Sequence, residues 1–191
     1  MQLIPLSEGF FWKYESKTID SNGDIIDEEV ITNQVMQSFN SAGYDWHVME
    51  EFGDVFIVRN DEKGQWEGLP TEEDFSHIVE QSLFLEYPIN MVPYHYKQSF
   101  ELIDEDTEYE GDEESGMPIN QIRVSSLNEK VETPAGEFEC IVYHIKPIQV
   151  DEETGDFEIA IYIAPGTGVI KHTITADGEQ TVAKLIDFVV E

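Results

Sequence analysis

The sequence predicts a mainly β protein, a single antiparallel sheet of about ten strands with one short helix near residues 71–85. Two observations carry most of that prediction. Residues 131–145 read VETPAGEFECIVYHI and residues 160–172 read AIYIAPGTGVIKH, each a strand attached to a Pro-Gly turn. In Thr133-Pro134-Ala135-Gly136 the Pro is second and the Gly fourth, which suits a type I turn. In Ala164-Pro165-Gly166-Thr167 the Gly is third, which suits type II. Proline pre-sets φ near −65° and glycine accepts positive φ without a Cβ clash, so the chain direction at both points is fixed by backbone chemistry. The third observation is spacing: strand, turn and strand recur at the short interval of an all-β architecture.

Taken in order, residues 9–19 are aromatic-rich, alternate after Phe11 and read as a strand. Residues 20–24 follow with an Asn22-Gly23 pair fit for a type I′ hairpin. Residues 25–40 mix apolar and polar side chains. A 3.6-residue period fits Val30, Ile31, Val35, Met36 and Phe39, but β-branched content and a place between hairpins favour one long or broken strand. Residues 44–52 and 55–60 pair across Gly53-Asp54, and a turn at 61–64 leads into Gln65-Trp66-Glu67. Residues 71–85 carry the helix signal: Thr71 with Asp74 fits a capping pattern, and Phe75, Ile78, Val79 and Leu83 share one helical face. Pro88 and Pro93 bracket an irregular segment before a strand-like run at 94–103.

Residues 104–116, DEDTEYEGDEESG, form an acidic block that repels itself and reads as a loop. Strand patterns resume at Ile119, and turns at 151–156 and 176–178 separate the last strands. Nothing in this order marks a domain boundary, so residues 1–191 are expected to form one β-rich domain. A chain of 191 residues with 40% hydrophobic and 12% aromatic content can bury a core without disulfides or metals.

Charge and composition exclude several classes. With 41 acidic against 10 basic residues the formal net charge is −31, so phosphate backbones and anionic lipid surfaces lack the cations they need; no nucleic-acid partner is expected. There is no run of about 18 apolar residues, hence no transmembrane span of helical type. The single cysteine, Cys140, allows no internal disulfide. The opening MQLIPLSE lacks the basic segment, apolar core and cleavage site of a secretory signal. The expectation is therefore a periplasmic or surface chain whose signal has been removed, or a cytoplasmic one if Met1 is the native start.

Alternation divides the late hairpin into faces. Phe138, Cys140, Val142 and His144 point one way; Glu139, Ile141, Tyr143 and Ile145 point the other. Across from them, Phe157, Ile159, Ile161 and Ile163 oppose Glu158, Ala160, Tyr162 and Ala164. Both faces carry apolar surface, which a sheet wetted on one side would not. Either two layers pack with the helix as cover, or the sheet curves so that one face lines an apolar concavity.

These residues resemble a family. Pro5-Leu6-Ser7-Glu8-Gly9 followed by Trp12 and Tyr14, a tight turn after Arg59, Tyr87-Pro88, the TPAG-x-F turn and the Y-x-APG-x-G hairpin are similar to a group of uncharacterised bacterial envelope proteins. Some of these resemble the LolA/LolB-like lipoprotein-carrier fold, a curved antiparallel half-barrel that wraps an apolar surface. The resemblance implies that fold and an exported or lipid-anchored setting, and it implies no reaction. The chain departs from the pattern in its missing signal and lipobox cysteine and in its acidic middle.

The motifs of enzymes are absent: no Gly-x-Gly-x-x-Gly, P-loop, Gly-x-Ser-x-Gly or His-Glu-x-x-His. Cys140 and His144 lie four positions apart on a strand, about 14 Å, too far for a nucleophile and its base. The histidines have no zinc-ligand spacing. Oxygen-rich runs at Asp20, Asn22 and Asp24 and at Asp104, Asp106 and Glu108 are the weak candidates for calcium, the one metal the composition suits. Neither has the glycine or closing glutamate of an EF-hand. No acid sits in an evidently apolar context; Glu139 and Glu158 come nearest to a carboxylate pair.

No catalytic residue and no organic cofactor is therefore assigned. The function expected is a non-catalytic envelope module that holds an apolar or lipid-like ligand on a concave sheet. Phe11, Trp12, Tyr14 and Phe138 are the aromatic candidates to line it, with Val142, Ile161 and Ile163. The alternatives are an envelope interaction domain without a small ligand, whose partner is another envelope protein, and a hydrolase with an unrecognised site.

Overall fold

Apolar side chains at alternate positions need a common face to bury, and a curled sheet supplies it. The computed structural model describes residues 2–70, 77–98, 100–103, 120–148 and 157–190. Among the described residues the strands are β1 (Phe11–Ile19), β2 (Ile25–Ser41), β3 (Tyr44–Glu51), β4 (Asp54–Asp61), β5 (Gly64–Pro70), β6 (Ile78–Glu86), β7 (Tyr94–Lys97), β8 (Phe100–Leu102), β9 (Asn120–Thr133), β10 (Gly136–Pro147), β11 (Glu158–Ala164), β12 (Gly168–Ala176) and β13 (Glu179–Val189). All thirteen belong to one antiparallel sheet in the order β7-β9-β10-β11-β12-β13-β1-β2-β3-β4-β5-β6-β8.

The two edge strands of this sheet are consecutive in the chain. β7 pairs with β9 and β8 pairs with β6, with only residues 98–99 between them. Three Cα–Cα steps span at most about 11 Å, so the sheet must curl until its edges lie side by side. It curls further than the expected half-barrel, although no ladder closes it. Side chains join the seam instead. Tyr96 Oη donates to Phe84 O at 2.8 Å and accepts from Glu86 N at 3.0 Å, while Tyr143 Oη donates to Glu86 O at 2.8 Å. Gln98 Nε2 donates to Ser82 Oγ at 2.6 Å, and Gln98 Oε1 accepts from Asn120 Nδ2 at 2.8 Å.

Register fixes which residues face inward. Ile141, Tyr143 and Ile145 lie opposite Ile163, Ile161 and Ile159, and Ile161 lies opposite His172, itself opposite Ala183. Trp12 and Tyr14 on β1 belong to the same core. The segment before β1 fills one end of the curl. Leu3, Ile4 and Leu6 are buried in that core. The segment is tied down by Gly166 N donating to Gln2 O at 2.9 Å and by Asn60 Nδ2 donating to Ile4 O at 2.6 Å.

The second Pro-Gly turn is thus a docking point as well as a turn. Gly166 has φ 84° and Thr167 N donates to Ala164 O at 2.9 Å, as the type II expectation requires. Thr167 O accepts Trp12 Nε1 at 2.6 Å, and a Cβ at Gly168 would lie 2.7 Å from that indole nitrogen. In the first turn Gly136 pairs with Thr133 across Pro134-Ala135, and Ala135 has no positive φ, in keeping with type I.

Three expectations are corrected. Among the described residues the strands number thirteen, because Tyr94–Lys97 and Phe100–Leu102 are separate strands and Gly64–Pro70 is a full one. The helix is absent from the described part of 71–85, where residues 78–86 are strand β6; residues 71–76 lie outside the described residues. Bulges at Val79 and Phe84 each add a residue without a cross-strand partner. They shift the inward side and so imitate a helical spacing in Ile78, Val79 and Leu83. At Asn22-Gly23 only the glycine has positive φ, and Gly23 N donates to Asp20 O at 3.0 Å. That is a type I turn closed by a left-handed glycine, not type I′. The expected acidic loop at 104–116 lies outside the described residues.

A second, smaller core sits where Trp46, Ile57, Trp66 and Ile78 cluster. The buried Arg59 guanidinium lies 4.2 Å from the Tyr44 ring centre and 4.6 Å from that of Trp66, and Nη2 donates to Gln81 Oε1 at 2.8 Å. Gly68 is required here, since a Cβ would lie 2.7 Å from the Trp46 ring.

The seam generates one expectation. Tyr96→Phe removes the hydroxyl that serves Phe84 O and Glu86 N, leaving partly buried backbone groups unpaired. Denaturant unfolding is expected to show a loss of about 1–3 kcal/mol; a change under a few tenths would show that the tyrosine does not hold the seam.

Candidate functional site

The end of the curl opposite the N-terminal segment is not filled by any described residue. A cavity of about 600 Å3 remains there. Its deep wall is apolar, built from Ile4, Leu85, Ile145, Ile161 and Val169, and Val55, Phe157 and Ile174 continue that surface along the ends of β4, β11 and β12. Among the described residues the polar lining is Glu51, Asp54, Gln65, Glu67, Gln98, Asn120 and His172.

Strand parity places the two glutamates. Met49 faces the core and Glu51 follows it by two residues; Val58 faces the core and is the register partner of Glu67. Both side chains are half-buried, and the surface each keeps borders the cavity. Burial, with the Glu67 charge added, pushes the Glu51 carboxyl up to about 7. Burial likewise pushes Glu67 up to about 7, against a hydrogen bond from Gln98 Nε2 to Glu67 Oε2 at 3.2 Å. Glu51 receives no hydrogen bond from any described residue.

His172 is held as a neutral ring. Burial lowers it to about 4, and Phe52 stacks on it with ring centres 4.4 Å apart. Phe52 reaches inward from the two-residue turn between β3 and β4, where its φ is 50° and that of Gly53 is 91°. Asn33 Oδ1 accepts the Phe52 N–H at 2.9 Å and stabilises this turn.

Of the residues expected to line a ligand site, Ile161 borders the cavity. Trp12 and Tyr14 lie in the filled core, with Tyr14 Oη donating to Val169 O at 2.9 Å, and Ile163 packs beside them. Phe11 is on the opposite side of β1, Val142 pairs with Tyr162, and Phe138 meets Phe188 edge-on at 6.2 Å. The Asp20 carboxylate accepts from Asp24 N at 2.9 Å and from Asn22 N at 2.8 Å, which lower its pKa; it is a turn-forming group. Asp104, Asp106 and Glu108 lie outside the described residues. Among the described residues no three His, Cys, Asp or Glu side chains gather in a metal-binding set.

Sequence reading missed Glu51 and Glu67. The available signal was parity with Met49 and Val58, but it becomes legible only once cross-strand register is known. It also missed a polar line on the other face of β9–β11. His144 Nε2 lies 2.9 Å from Ser125 Oγ, and Nδ1 lies 2.8 Å from Glu158 Oε1. The order is that of a serine–histidine–acid relay. Lys146 Nζ, 2.9 Å from Glu158 Oε2, is the main cause of that acid's lowered pKa. The shallow depression alongside is bordered by His144 and Glu158 and, among the described residues, not by Ser125. Cys140 is buried, and burial pushes its thiol up to about 12, far from a reactive thiolate.

No family model matches the chain, and no curated protein does. Among solved structures it is similar to a protein of Bacteroides fragilis, named as a presumed exported protein with a YmcC-like fold. That match has a TM-score of 0.52 at 14% identity and covers 98% of this chain and 99% of the other. A presumed lipoprotein of Parabacteroides distasonis aligns with a TM-score of 0.41 at 14% identity, over 98% of each chain. The first likeness shows the fold: this chain has the YmcC-like arrangement of a single open antiparallel sheet.

The paired glutamates make stability depend on pH in a defined direction. Their ordinary value is 4.5 and the folded value about 7. Between those limits the unfolded chain releases protons that the folded one keeps, so this contribution falls as pH rises and levels off above about 7. His172 acts oppositely: with its pKa lowered from 6.5 to about 4, it costs stability as pH falls through that window. In E51Q/E67Q the loss between pH 5 and pH 8 is expected to shrink by about 1–3 kcal/mol. Unfolding curves at both pH values measure it, and an unchanged difference would mean that the carboxyls are hydrated and ordinary.

Proposed function

We propose that this protein is a non-catalytic binding module of the cell envelope whose cavity holds an apolar, lipid-like chain. The observation that carries the reading is a space of about 600 Å3 that no described residue fills, beside the packed core of the same sheet. Empty apolar space costs contacts that a ligand would restore, and the volume falls within the range of about 300–1,000 Å3 typical of small-molecule sites. The resemblance to lipoprotein carriers fits the same use of an inner apolar face. The envelope setting is supported by the exported character ascribed to the Bacteroides protein that shares the fold.

The test uses the uncharged dye phenylnaphthylamine and protein stripped of co-purifying lipid. A saturable one-to-one fluorescence rise is expected. Ile161→Trp and Ile174→Trp, which place an indole in the space, are each expected to weaken it at least about tenfold, or about 1.4 kcal/mol. Unchanged dye binding in both variants, with native near-ultraviolet circular dichroism retained, would refute the cavity as the site.

A further inference from the structure

The polar lining of the cavity has more acceptors than donors. Gln98 is fully engaged: Nε2 donates to Ser82 and Glu67, and Oε1 accepts from Asn120. Glu67 thus receives one donor for its two oxygens, and Glu51 receives none from the described residues. Carboxyls withdrawn from water, even half-buried ones, ordinarily have hydrogen-bond partners or a compensating charge. Among the described residues no lysine or arginine borders the space, and the one basic side chain that does, His172, is stacked beneath Phe52 and neutral. The ionisable groups that border it, among the described residues, are Glu51, Asp54, Glu67 and His172. An apolar wall therefore leads to carboxyls with more acceptor oxygens than the described residues supply donors for.

We infer that the ligand is a cationic amphiphile: an apolar chain lies along Ile145, Ile161 and Val169, and a protonated amine sits between Glu51 and Glu67. The inference rests on the reading of the cavity as a ligand site and narrows it to one chemical class. An ammonium group brings three donors and a positive charge, which match the free acceptors and relieve the repulsion between the two glutamates. An anionic head such as a fatty-acid carboxylate would place a third negative group among them, a repulsion that low local dielectric makes stronger than in water. Selectivity comes from the head and affinity from the chain.

Three ligands with the same chain separate these elements: dodecylamine, laurate and dodecanol. Each is titrated calorimetrically, below its aggregation concentration, into the full chain near pH 8. Sodium chloride at about 0.5 M screens attraction to the acidic surface. Dodecylamine is expected to bind at least about tenfold more tightly than laurate. That margin should collapse in E51Q/E67Q while dodecanol binding persists, which also shows that the variant folds. The single variants E51Q and E67Q serve if the double one does not fold.

Equal or tighter binding of laurate would overturn the inference and leave the cavity reading intact. So would an amine preference that survives in E51Q/E67Q, since it would come from the general negative surface. Absence of binding by all three ligands, dodecanol included, would overturn the cavity reading and this inference with it. Displacement of dodecylamine by calcium alone would reassign the carboxyls to a metal and also overturn it.

Discussion

The structure depends on one constraint: the chain passes from one edge of a thirteen-stranded sheet to the other within residues 98–99. An open sheet that size would be free to flatten or to split into two packed layers. Bringing its edges together forces it to enclose a volume. The seam is not sealed by a ladder, because β7 and β8 each pair on one side only. Tyr96, Tyr143 and Gln98 join the two sides through side-chain hydrogen bonds to Phe84, Glu86 and Ser82. A backbone ladder would be stronger per residue, but it would also require the two short strands to share one register.

Once the sheet is curled, its interior must be filled, and the chain fills it unevenly. Residues 2–10 return across one end and bury Leu3, Ile4 and Leu6. Trp12 then locks onto Thr167 and Tyr14 onto Val169. Nothing among the described residues does the same at the far end, where Glu51 and Glu67 stand on inward-facing positions. Two ionisable groups at such positions weaken the fold at neutral pH. Their placement makes physical sense as a site and little sense as packing. In a chain of net charge −31 these two are distinguished by location, since most of the other described acids can reach bulk water.

The turns were legible because they are local. Pro165-Gly166 specified its turn type through φ alone, and the structure returns that geometry. The shared face of Ile141, Tyr143 and Ile145 with Ile159, Ile161 and Ile163 was legible for the same reason, whereas Cys140, expected on the other face, also enters that core. What stayed hidden required knowledge of the partner strand. Residues 78–86 looked helical because bulges at Val79 and Phe84 break the two-residue period. Trp12 and Tyr14 looked like ligand contacts because aromatic content is visible in sequence, whereas the segment that covers them is not. Glu51 and Glu67 carry no local mark, and only register through Met49 and Val58 turns them inward. The acidic candidates that abundance suggested, Glu139 and Glu158, belong elsewhere: Glu158 binds Lys146 and His144.

The central claim is that a curled sheet, plugged at one end, leaves an apolar space at the other. Xenon tests this directly, because it enters dry cavities lined by aliphatic side chains and ignores polar or filled ones. In crystals of the ligand-free protein under xenon pressure, a strong anomalous peak is expected among Ile4, Leu85, Ile145, Ile161 and Val169. No peak there, with those side chains packed against one another, would contradict the claim.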